Sequence, residues 1–101
     1  MSRRIIFARE AESDIAEFYA WYEDQAPGFG EEFLRCVGAC IETLQRNPFL
    51  YRVAVDAFHR ALVRRFPFEV FYEITDKSIV VYSVFHCSQE PGKWHRRLER
   101  K

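Results

Sequence analysis

The sequence predicts an α+β domain: one strand, two helices, three further strands and a short basic helix at the C-terminal end. Three observations carry that expectation. Apolar residues recur at helical spacing only before Pro48, extended β-branched and aromatic runs dominate after it, and the four prolines fall at the boundaries between segments. A chain of 101 residues is one domain's worth, since single cores run from roughly 50 to 200 residues. Residues 1–101 are therefore read as a single domain. At 49% hydrophobic and 17% aromatic against 30% charged, the composition excludes a disordered chain.

Arg3 to Phe7 is a short β-branched and aromatic run and reads as the first strand. From about Ala11 to Gln25, Ile15, Phe18, Tyr19 and Tyr22 recur at i, i+3, i+4 and i+7, while Glu12, Asp14, Glu17 and Glu23 fall largely on other faces. That spacing predicts an amphipathic helix. Pro27-Gly28-Phe29-Gly30 stops it, and a second stripe through Phe33, Leu34, Val37, Cys40, Ile41 and Leu44 runs until Asn47-Pro48. Two helices joined by so short a loop form an antiparallel hairpin, expected to cover one face of the sheet. Strands then follow over His59 to Arg65, Phe68 to Ile74 and Ser78 to His86, with Pro67 at the first connection and Thr75-Asp76-Lys77 as the second turn. Ile79 to Phe85 is nearly continuous in apolar residues, as a central strand covered on both faces would be. A last short helix is expected from Pro91 to about Arg100.

No apolar run approaches the roughly 18 residues of a membrane span, and the N-terminal stretch has too few apolar residues before Arg9 and Glu10 to serve as a secretory signal. A cytoplasmic protein without a membrane partner is expected. Cys36, Cys40 and Cys87 contain no C-x-x-C pair, so neither a disulfide framework nor a zinc site is signalled. Cys36 and Cys40, at i and i+4, read as small core hydrophobes, and Cys87 beside His86 lacks the two further ligands a metal would need. No cofactor or metal is assigned. Charge is balanced overall but not along the chain: residues 1–47 carry 5 basic and 9 acidic side chains, residues 48–101 carry 10 and 6. The segment Lys93 to Lys101 alone holds five basic residues and one acidic, which suits a polyanion or an acidic partner.

Several local patterns, in this order, carry a family resemblance: Trp21-Tyr22, Pro27-Gly28-Phe29-Gly30, Phe33-Leu34, Asn47-Pro48, Phe66-Pro67-Phe68-x-Val70-x-Tyr72, and Val84-Phe85-His86 ahead of Pro91-x-x-Trp94-x-x-Arg97. Over essentially the whole chain they resemble the RelE/ParE superfamily of toxins from toxin–antitoxin modules, and most of all its ParE-like, plasmid-stabilisation branch. The resemblance implies a RelE/ParE-like fold, an antiparallel sheet packed by a two-helix hairpin. It also implies the toxin role in a type II toxin–antitoxin module, growth inhibition, and a cognate antitoxin as partner. Homodimer formation is left open.

One fold can carry several functions, so activity needs its own argument. RelE-like members resemble ribosome-dependent messenger RNA endonucleases, whereas ParE-like members resemble poisons of DNA gyrase that need no catalytic residues. Cleavage at a 2′-hydroxyl requires a base, an acid and cations around the phosphate. Aligned on Tyr72, the third-strand arginine of the nucleases becomes Glu69, which reverses the charge, and no basic residue falls within Cys87 to Gln89. Arg60 and Arg64 keep part of a cationic surface, and His86 and His95 are of the residue type most used for proton exchange. A nuclease here would be built on His86, His95, Arg60 and Arg64. His86 also reads as an ordinary histidine at a strand end. Inhibition by binding is preferred, through Lys93, Trp94, Arg96, Arg97, Arg100 and Lys101. The alternatives are a divergent endonuclease acting on ribosome-bound messenger, and a toxin-derived domain without activity.

Overall fold

A computed structural model describes residues 3–87, and the expected C-terminal helix lies outside them. The chain runs β1 (Arg4–Phe7), α1 (Arg9–Gln25), α2 (Phe29–Arg46), β2 (Val53–Val55), β3 (Phe58–Leu62), β4 (Phe68–Ile74) and β5 (Ser78–His86). Both helices appear where the apolar stripes placed them, as do β1, β4 and β5. The five strands form one sheet in the order β1-β5-β4-β3-β2. Its three ladders among β2, β3, β4 and β5 are antiparallel, as expected, whereas β1 lies parallel to β5. The short strand β2, unread in the sequence, is the reason. Each hairpin reverses the chain, and the extra reversal at Asp56-Ala57 brings β5 back to the direction of β1.

β3 also ends earlier than expected, at Leu62. Residues 63–67 form an irregular bend in which Arg65 takes the left-handed region at φ 74°, turning the chain into Pro67.

The helix hairpin covers one face of the sheet. Phe33 and Leu44 from α2, Phe68, Val70 and Tyr72 from β4, and Ile79, Val81 and Val84 from β5 are buried there. At its centre Phe18 and Phe33 meet Phe68 edge-on at 4.6 and 4.9 Å, and Tyr22 stacks on Phe33 at 5.4 Å. The hairpin closes tightly at Gly30, where a Cβ would lie 2.9 Å from both the ring and the carbonyl oxygen of Tyr19. The Glu23 carboxylate accepts the N–H groups of Gly28 and Gly30 at 2.9 and 3.0 Å. An acidic side chain from α1 thereby caps the positive end of α2. Gly28, at φ 86°, makes the left-handed turn this requires.

A bulge interrupts β5. Phe71 pairs with Ser83 but Tyr72 pairs with Val81, which leaves Tyr82 extra. Val81 and Val84, three apart, consequently face the helices together. β1 stops at its pairing with Val81, and beyond it the Val84 N–H donates to the Asp14 carboxylate of α1 at 2.9 Å. The segment ahead of β2 is fixed by two bonds: the Tyr72 hydroxyl donates to the Pro48 carbonyl, and His59 Nδ1 bonds the Tyr51 carbonyl, each at 2.7 Å. Among the described residues no helix is long and apolar enough to cross a membrane.

Candidate functional site

Because side chains alternate across a strand, the same five strands present a second face away from the helices. Phe58, Phe71 and Phe85 form a small buried cluster there, flanked by Ala54, Val55 and Tyr82. Beside it Arg60 Nε meets Glu69 Oε2 at 2.9 Å. The pair is a diagonal of the β3–β4 ladder, in which Arg60 sits opposite Phe71 and Leu62 opposite Glu69. Glu69 is only 8% exposed. Cys87 adjoins the group: its N–H donates to the Pro67 carbonyl at 2.7 Å, and its thiol lies within reach of the Glu69 charge. Burial and then the Glu69 charge push that thiol's pKa up, with Arg60 pulling the other way.

His86 is on the opposite face. It pairs with Phe68 at the end of β5 and packs edge-on against that ring at 5.0 Å. There it lines a groove of about 630 Å³ with Phe18, Trp21, Tyr22, Phe29 and Phe68. Trp21 is 57% exposed while Tyr22 is buried. Arg64 occupies a third place, in the bend after β3. It lines a groove of about 530 Å³ between α2 and the sheet edge, with Cys36, Cys40, Leu50, Tyr51 and Leu62.

The residues Arg60, Arg64 and His86 are therefore held on three separate surfaces, and Arg60 is paired to a carboxylate. No two of them converge on one point. His95, and the basic set Lys93, Trp94, Arg96, Arg97, Arg100 and Lys101, lie outside the described residues. Cys36 and Cys40 are buried, as small core hydrophobes would be, and burial pushes the Cys40 thiol up to about 11. Among the described residues no group of three or more His, Cys, Asp or Glu side chains is placed to hold a metal ion.

Sequence reasoning passed over four exposed apolar side chains. Phe49 and Leu50 ahead of β2, Val53 in it and Leu62 at the end of β3 all stand more than half exposed. The signal was present, since Phe49-Leu50 directly follows a helix-ending Asn47-Pro48, but without β2 there was no edge on which to place it. The roles of Asp14 and Glu23 had no signal beyond membership of an acidic helix face.

Comparison with known proteins supplies what geometry alone does not. The family model of the ParE toxin of type II toxin–antitoxin systems, parDE, matches residues 5–91. No curated protein sequence matches the chain. Among solved structures, the chromosomal ParDE toxin–antitoxin system from P. aeruginosa is similar with a TM-score of 0.74 and 16% identity, over 83% of this chain and 95% of that one. The conserved hypothetical protein HP0894 from Helicobacter pylori is similar with a TM-score of 0.56 and 14% identity, covering 86% and 97%. The toxin–antitoxin complex RelBE2 from Mycobacterium tuberculosis gives 0.54 and 20%, covering 85% and 99%. At these identities the structures attest the fold, and the family model, spanning most of the residues, attests the kinship: the chain belongs to the ParE toxin family of type II toxin–antitoxin systems.

Proposed function

We propose that this toxin arrests growth by binding its target, DNA gyrase, and not by cutting RNA, and that a cognate antitoxin neutralises it. The single observation that carries the noncatalytic reading is the separation of Arg60 from His86. One is ion-paired on the outer face of the sheet, the other is packed against Phe68 under α1. Proton transfer and phosphate stabilisation must meet within hydrogen-bond reach of one reacting centre, and opposite faces of a sheet do not allow it. The target-facing residues in this reading are Lys93, Trp94, Arg96, Arg97, Arg100 and Lys101, whose charge suits a gyrase surface or its DNA. The antitoxin is a largely disordered segment that folds on the toxin. Exposed Trp21 and Phe29 in the helix-side groove offer it apolar anchors.

Expression of the chain alone in bacteria tests the reading. Growth arrest with SOS induction and intact messenger RNA, relieved by co-expressing the antitoxin, is the expected outcome. Arrest with cleavage of ribosome-bound messenger would overturn the binding mechanism, and normal growth would mark a domain that keeps only its antitoxin surface.

A further inference from the structure

The outer face of the sheet holds an arginine that is physically able to reach an anion and chemically prevented from keeping one. The Arg60 side chain is 45% exposed, so its guanidinium is in reach of solvent, whereas the Glu69 side chain is 11% exposed and fixed. Arg60 Nε holds that carboxylate at 2.9 Å. Nearly buried, the carboxylate stays beside the guanidinium when a second anion approaches. A phosphate seated on the open side of the guanidinium would stand roughly 5–6 Å from a carboxylate in a partly desolvated setting, where like charges repel strongly. If the pair served only to satisfy a hydrogen bond, a neutral glutamine would accept from the same N–H. What the glutamate adds is its charge.

We propose that Glu69 is a selectivity residue: by holding Arg60 in a fixed ion pair it makes the outer sheet face reject phosphodiester chains. The face is an arginine site kept closed by one buried negative charge. This deepens the reading of the chain as a binding toxin, because it keeps single-stranded RNA off a surface that retains a usable cation and so leaves the protein to its other target.

The test is the affinity of the full-length protein for a labelled twelve-nucleotide oligouridylate at low salt. Glu69→Gln should bind at least about tenfold tighter than wild type. Its log-affinity should also fall more steeply with log salt, by about 0.7 for the one added phosphate contact. Arg60→Gln/Glu69→Gln should return to the wild-type affinity, which separates this site from any binding by the basic C-terminal residues common to all three proteins. Circular dichroism reports folding, and Glu69→Ala supplies the same neutralisation should the glutamine variant not fold. Unchanged or weaker binding by the neutralised variant, or a gain that survives in the double variant, overturns the proposal. Weaker binding in particular would show that Glu69 aims Arg60 at a phosphate. Antitoxin-relieved growth arrest is a separate readout, so failure here is distinguishable from failure of the toxin reading.

Discussion

The two faces of one sheet divide the labour of this molecule. On the helix side, aromatic rings from α1, α2 and β4 meet at centroid distances of 4.6 to 6.3 Å, and among the described residues no charged side chain is buried in that cluster. On the outer side, three phenylalanines border an ion pair that includes a nearly buried glutamate. Apolar burial supplies most of a domain's stability, and a buried ion pair is weak evidence for any. The contrast separates a face shaped by packing from a face on which charge is a matter of selectivity.

The sharpest way to break that contrast is to hollow the helix side. Phe68→Ala removes the ring shared by Phe18, Phe33 and His86 and should cost about 3–5 kcal/mol in urea unfolding. Leu62→Ala, on the exposed edge at 59%, should stay within about 0.5 kcal/mol. Gly30→Ala comes next. Its new Cβ meets the Tyr19 backbone as well as the ring, so the hairpin must part, at about 1–3 kcal/mol. Glu23→Ala should cost about 1 kcal/mol by uncapping α2; a melting curve that does not move would mean the helix N-terminus finds other partners.

The smallest effect is a pH dependence. Burial raises the Cys40 thiol from 9.0 to about 11, so the unfolded chain gives up that proton first as pH rises. The stability linked to this thiol is complete below about pH 9 and is lost as pH climbs to about 11. Cys40→Ala should flatten that limb of a stability curve measured across this range, and an unchanged slope would place the alkaline titration elsewhere.

How much of this was legible in the sequence differs between the faces in the same way. The helix stripes through Phe18 and Tyr22 and through Phe33 and Leu44, and the strands Phe68–Ile74 and Ser78–His86, were readable because burial imposes periodicity. β2 was not, since three residues between Pro48 and Asp56-Ala57 carry too little pattern, and with it went the parallel pairing of β1. The Arg60–Glu69 contact requires the β3–β4 register, which no single strand reveals. His86 was readable as a strand end but not as to its side. Alternation counted from Ile79 assigns Val81, Ser83 and Phe85 to the helices and His86 to the outer face; the extra residue Tyr82 reverses that assignment.

That reversal has an evolutionary corollary. Deleting Tyr82 would leave Ile79, Val81, Val84 and His86 on the helix side and Val80, Ser83 and Phe85 on the outer side, because the remaining residues then alternate without interruption. His86 would stay on the face opposite Arg60. The extra residue is therefore a length reserve: β5 can lose one codon at this point while the buried Val84, whose N–H is held by Asp14, keeps its face.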